Sequence, residues 1–222
     1  TAIKDSAWRI SATYVIDDNS DLNLQYENYE DNGKGWTNVL SCELMKTRQG
    51  FTAKDRPVNT CTDILGSEDR YQSYANTPGY NKMTMDSFRA IYKRQLDATT
   101  NLTVNYGYQE LEQSSQFEID GGINYQYGMA FNINRLLTES NVLDAYITGA
   151  DEKWAWVGGI FSSTEDNDML ANFTAELNGH DFFWQPNREL NHYAVYGQAT
   201  YALRDDLFFT LGGRFSYDEK SD

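Results

Sequence analysis

Apolar and polar residues alternate along several stretches of the chain with a period of two. In "DSAWRISATYVI", Trp8, Ile10, Ala12, Tyr14 and Ile16 share one side, and Arg9, Ser11 and Thr13 share the other. Successive side chains of a strand point to opposite faces, so this pattern predicts a β-strand rather than a helix. After the polar turn "DDNS", "DLNLQYENYE" sets Leu22, Leu24 and Tyr26 against Asn23, Gln25 and Glu27. The same reading predicts strands in "DSFRAIYKRQL", "NLTVNYGYQE", "NVLDAYIT" and "WAWVGGIFSS", and two more around the turn "RDD" in "HYAVYGQATYALRDDLFFTLGGRFSYDEK". "DLNLQY", "NLTVNY" and "LFFTLGGRF" each restart on or near Leu after a short acidic or polar turn, a hairpin repeat weak in letters but clear in pattern.

The connections are of two kinds. Within hairpins they are short, at "DDNS", "DATT", "GADEK" and "RDD". Between hairpins the predicted loops run over about 30–83, 111–140 and 164–190. Short turns on one side and long loops on the other characterise outer-membrane barrels, whereas a β-sandwich turns every ~8–12 residues at both ends. The segment "INYQYGMAFNI" (123–133) also alternates and is expected to be a strand of the second loop that rises beyond the membrane. "DMLANFTAEL" (168–177) has helical spacing and is expected to form a short loop helix.

The apolar faces carry rings near strand ends: Trp8 and Tyr217 at one end, Trp154 and Tyr201 at the other. Aromatic girdles at the two membrane interfaces have this form. Arg9, Arg89, Lys93, Asp144, Gln198, Thr200, Thr210 and Arg214 lie on the opposite faces and are expected to face the lumen. A slip of one residue would carry the charged ones into lipid, at about 2–4 kcal/mol for each basic residue at the midplane.

Composition narrows this reading only a little. The 222 residues are 40% hydrophobic and 14% aromatic, with 16 Tyr and 3 Pro, as in an ordered chain. A net charge of −15 argues against a nucleic-acid partner, which needs clustered Lys and Arg. No apolar run is long enough for a membrane helix; alternating barrel strands have none.

The stretch "YAVYGQATYALRDDLFFTLGGRFSYDEK" resembles the barrel of TonB-dependent outer-membrane receptors, with their Ala-Val-aromatic-Gly-Gln-Ala-Thr-Tyr strand, polar turn and Gly-x-Arg-aromatic strand. "KWAWVGGIFSSTED" is similar to the Trp-Val-x-Gly strand that precedes it there. "SNVLDAYITG" sits where a Gln-Glu-Leu-Arg-Leu strand is expected, with Asp144 and Tyr146 in the Glu and Arg places. The resemblance covers about 139–220 best. It implies an all-β, antiparallel transmembrane barrel of 22 strands, of which residues 1–222 read as an internal stretch of about eight. It also implies no catalytic residues and no cofactor. The implied partners are outer-membrane lipid and lipopolysaccharide, a ferric siderophore or similar scarce small-molecule ligand, and TonB with its inner-membrane complex, acting through a plug outside residues 1–222.

Candidate chemistry is sparse. Trp36, Tyr71, Tyr74 and Tyr80 fall in or beside the first long loop and could grip a ligand; packing of the loop on itself would use the same rings. Cys42 and Cys61 share that loop, and in an oxidising compartment a bridge there would add roughly 3 kcal/mol. "DDNSD" offers Asp17, Asn19 and Asp21 like the start of a calcium loop, without its glycine and distal Glu, and reads better as a turn. Glu165, Asp166 and Asp168 in "STEDND" could meet a divalent cation or simply be solvated. The two histidines, His180 and His192, are too far apart in sequence to suggest a metal site, and none is expected. Two alternatives therefore stand beside the transporter: a barrel protease or lipase using His192 as base, and a soluble β-sandwich binding module.

Overall fold

A computed structural model describes residues 4–34, 77, 79–118, 129–175 and 179–221. They form eight strands: β1 (Asp5–Asp17), β2 (Ser20–Asp31), β3 (Tyr80–Gln95), β4 (Thr100–Glu118), β5 (Met129–Ala150), β6 (Trp154–Ala175), β7 (Gly179–Arg204) and β8 (Leu207–Ser221). All pair antiparallel with their sequence neighbours in one sheet of order β1 to β8. A β-sandwich needs two packed sheets; the described residues form one.

The register joins the strands' apolar residues into one surface. Ile10 faces Tyr26, Tyr26 faces Phe88, and Phe88 faces Tyr108; lower down, Val104 faces Ala145, Ala145 faces Ile160, Ile160 faces Val195, and Val195 faces Phe215. Phe88, Val104, Tyr108 and Ala145 are half-buried, and toward β8 the surface is open: Val195 is 60% exposed, Leu211 70% and Phe215 78%. Among the described residues, the buried apolar side chains are three alanines, Ala130, Ala171 and Ala194. Each fully buried Leu, Val or Phe contributes about 1.5–3 kcal/mol in water, and the exposed residues of this band forgo much of that.

The other face is polar and concave. At the short-turn end a hollow of about 600 Å³ is lined by Val15, Asp21, Lys93, Thr103, Tyr146 and Thr148, which come from five consecutive strands. Residues so far apart across a flat sheet would not enclose one space.

On β7 the apolar band runs from Tyr193 to Tyr201, nine residues. At ~3.3 Å per residue and a barrel tilt near 40°, nine residues rise about 23 Å, close to the ~25 Å apolar height of membrane barrels. Trp154 and Tyr201 meet at its turn end with ring centroids 4.7 Å apart. At the other end, on the same face, Asp86, Glu110, Glu139, Asp166 and Glu189 form a row, each directly opposite the next across five strands.

The turns confirm one expectation and the loops correct another. Asp18–Asn19, 96–99, 151–153 and Asp205–Asp206 all lie at one end of the sheet. Asp17, Asp97 and Asp151 each accept backbone N–H groups within their turns, at 2.8–2.9 Å from Asn19, Thr99, Lys153 and Trp154. These bonds hold the three carboxyls below the usual carboxylate range. The expected loop over 164–190 is instead mostly strand, because β6 and β7 continue pairing as far as Ala175 and Gly179. Met169 to Ala175 therefore lies in β6, not in a helix: hydrogen bonding to β5 on one side and β7 on the other overrides the local helical spacing. Likewise 129–133 is the outer end of β5, so the short turns keep to one side.

Candidate functional site

A polar cluster lies on the same polar face, where β5 to β8 run side by side. Antiparallel register sets three rows side by side there. Tyr146, Gly159, Tyr196 and Arg214 form one; Asp144, Phe161, Ala194 and Ser216 the next; Ser163, His192 and Asp218 the third. Every second residue of each strand enters the cluster, and the residues between belong to the apolar band.

Gly159 makes room for the rings. A Cβ there would come within 2.6 Å of the Tyr196 ring and 2.7 Å of the Tyr146 Cβ. Tyr196 can therefore lie across the sheet, and its hydroxyl donates to Asp144 at 2.8 Å. Arg214 crosses the same space, 5.3 Å from the Phe161 ring centroid and 5.9 Å from that of Tyr196. Such cation–π contacts contribute roughly 0.5–1 kcal/mol at exposed sites. Ala194 occupies the middle of this frame and is only 6% exposed.

Arg214 Nε donates to Ser216 Oγ at 3.0 Å, and its Nη2 lies 3.0 Å from His192 Nε2. A guanidinium has no acceptor, so Nε2 accepts and the His192 proton sits on Nδ1. That Nδ1 donates to Asp218. The Phe161 ring meets the imidazole edge-on, with centroids 5.4 Å apart.

His192 thus has the orienting carboxylate that a general base needs. Its Nε2 lone pair, however, is taken by Arg214 rather than turned to Ser163, its cross-strand neighbour. In this arrangement the cluster holds the Arg214 guanidinium in place.

The eight residues expected to line a lumen share the polar face by register. Arg9 pairs with Glu27 through three contacts of 3.0–3.2 Å, and Thr200 Oγ1 meets Thr210 Oγ1 at 2.9 Å. Arg89 and Lys93 lie on β3, Gln198 on β7, and Asp144 and Arg214 in the cluster. Trp36, Cys42, Cys61, Tyr71 and Tyr74 lie outside the described residues. Tyr80 opens β3 opposite Gln116, with Lys82 Nζ 6.0 Å from its ring. Asp17 Oδ1 is engaged by Asn19 N and by Ser20 Oγ at 2.8 Å, as a turn requires. Strand geometry puts Glu165 and Asp166 on opposite faces, and Asp168 pairs with Arg135, so "STEDND" does not converge. Among the described residues no group of three His, Cys, Asp or Glu is placed to hold a metal.

Asp218, Phe161 and Tyr196 were not legible as site residues. A symmetric hairpin about Asp205–Asp206, continuing the pairing of Arg204 with Leu207, would put Glu219 opposite His192. The irregularity between Ala202 and Arg204 shifts the register by one and brings Asp218 there instead.

No protein-family model matches the chain, and no curated protein is similar enough to count as a relative. The reading of its role therefore rests on its own residues.

Proposed function

We propose that this sheet is wall of an outer-membrane barrel belonging to an energy-coupled receptor that takes up a scarce small-molecule ligand, with a ferric siderophore the foremost candidate. The observation that carries the reading is the pairing of an exposed apolar band, nine residues long on β7, with a polar face that is hollowed at its turn end, in a sheet whose short turns all lie at one end. The likeness of 139–220 to TonB-dependent receptor barrels supplies the transport class. In this reading lipid meets the band, lipopolysaccharide surrounds the outer ends, and TonB acts through a plug beyond residues 1–222. The chain works by binding and passage rather than catalysis, consistent with the engaged Nε2 of His192.

Two measurements test it. Brominated lipids in vesicles holding the full-length protein are expected to quench Trp154 and Trp156, and an absence of quenching would remove the membrane from the reading. Cells lacking the gene are expected to lose protonophore-sensitive uptake of a ferric siderophore. Unchanged uptake across a siderophore panel would remove that ligand class.

A further inference from the structure

We infer that Arg214 is the centre of a site for an oxyanion, a carboxylate or phosphate group of a solute on the concave face. Arg9, Arg135 and Arg204 each answer a carboxylate, in Glu27, Asp168 and Asp206. Arg89, Arg94 and Arg214 have none within ion-pair distance among the described residues; of these, Arg94 meets the Tyr92 hydroxyl at 3.5 Å, whereas Arg214 is framed by a serine hydroxyl, the His192 imidazole and two rings. The two carboxylates of the cluster are already engaged, Asp144 by the Tyr196 hydroxyl and Asp218 by His192.

The geometry also says which part of the guanidinium is open. It can present two donor forks: one along its side, from Nε and Nη2, and one at its end, from Nη1 and Nη2. The side fork is used by Ser216 Oγ and His192 Nε2, both at 3.0 Å. Phe161 and Tyr196 lie against the guanidinium's surroundings at 5.3 and 5.9 Å. The end fork has no partner among the described residues. Two parallel N–H groups held in this way match the two oxygens of a carboxylate or phosphate. The frame is prepared in advance: Gly159 admits Tyr196, Asp218 fixes the His192 tautomer, and that tautomer fixes Arg214. Binding immobilises a free arginine at a cost in side-chain entropy, and the two hydrogen bonds on the side fork reduce that cost here.

The inference deepens the proposed reading, since it names an anionic group as the part of the solute that the wall grips. The test is side-chain ¹⁵N NMR of the full-length protein in detergent, following the Arg214 Nε resonance during titration with inorganic phosphate and with succinate. A saturable shift is expected with both, and none with tetramethylammonium chloride at equal ionic strength. Isothermal titration of variants is expected to give about tenfold weaker binding for Arg214→Lys, which keeps the charge and loses the fork, and loss of binding for Arg214→Gln. A shift that rises linearly without saturating, or equal affinity in Arg214→Lys and wild type, overturns the site. Because the titration needs no uptake, anion binding in a protein whose deletion leaves uptake unchanged would sink the transport reading alone. Normal uptake without saturable binding would sink this site alone.

Discussion

The turn-proximal half of the sheet and its outer ends obey different rules. From the turns up to the acidic row, β3 to β6 keep strict register, and the exposed residues on one face are large and apolar. Beyond that row, the pairing of β4 with β5 shifts between Gln113 and Ser115, that of β5 with β6 between Ile133 and Arg135, and that of β6 with β7 between Asn167 and Met169. The outer ends also hold Ser115, Glu118, Asn132 and Asn172, most of the buried polar residues described. A one-residue slip is intolerable where it would exchange an apolar face for a charged one. Where both faces meet polar surroundings it costs little, and three of the five register shifts among the described residues lie there; the other two sit beside short turns, between Val15 and Asp17 and between Ala202 and Arg204.

The largest test of this contrast places a charge in each half. Val195→Arg is expected to destabilise the protein in lipid by about 2–4 kcal/mol, and Trp184→Arg, at an outer-end site 70% exposed, by less than about 0.5 kcal/mol. Guanidinium unfolding in vesicles measures both, and equal losses would erase the distinction.

Packing offers a second test within the band. Gly149→Ala puts a Cβ within 2.5 Å of the Trp156 ring and is expected to cost about 1–3 kcal/mol. Gly213→Ala meets nothing within 4 Å and is expected to stay within about 0.5 kcal/mol of wild type in the same assay.

A third test concerns the outer ends alone. Asn187 follows Pro186 at the β7 irregularity and has φ 50°, a left-handed conformation that suits Asn and Gly. Asn187→Val is expected to cost about 1–2 kcal/mol, and Asn187→Gly to leave stability nearly unchanged. Hydrogen exchange is expected to locate the damage at the outer ends of β6 and β7 and to leave the band protected.

The smallest effect is expected at the turns. Asp17, Asp97 and Asp151 titrate below their unfolded values because turn N–H groups bond their charged forms. A depressed folded pKa adds stability above the unfolded value, near pH 4, and that stability is lost as pH falls through the folded value. Melting between pH 6 and pH 2.5 is expected to show the loss, and the triple Asp→Asn variant to show a shallower slope. Identical slopes would remove the turns as its source.

The same division explains what was legible in the chain. The eight strands could be read because period-two alternation is a local signal, intact from Trp8 to Tyr14 and from Tyr193 to Tyr201. The outer ends were read as loop and helix because their alternation is broken: Met169 and Leu170 are adjacent apolar residues, and β-structure there depends on partners on both sides. The cluster around Arg214 was half legible. Asp144 and Arg214 stood out as polar-face residues and His192 as a candidate base, but the pairing of His192 with Asp218 depends on a register shift near Asp205 that no residue type announces.

The acidic row at the edge of the band has a mechanical consequence. Asp86, Glu110, Glu139, Asp166 and Glu189 stand abreast on the face that would meet lipid. Were the sheet to sink by two residues, roughly 5 Å along the membrane normal, five carboxylates would enter hydrocarbon together. Five small penalties acting at one depth make a steep restoring force, so the row would act as a waterline, holding the wall level while whatever it carries pulls from either side.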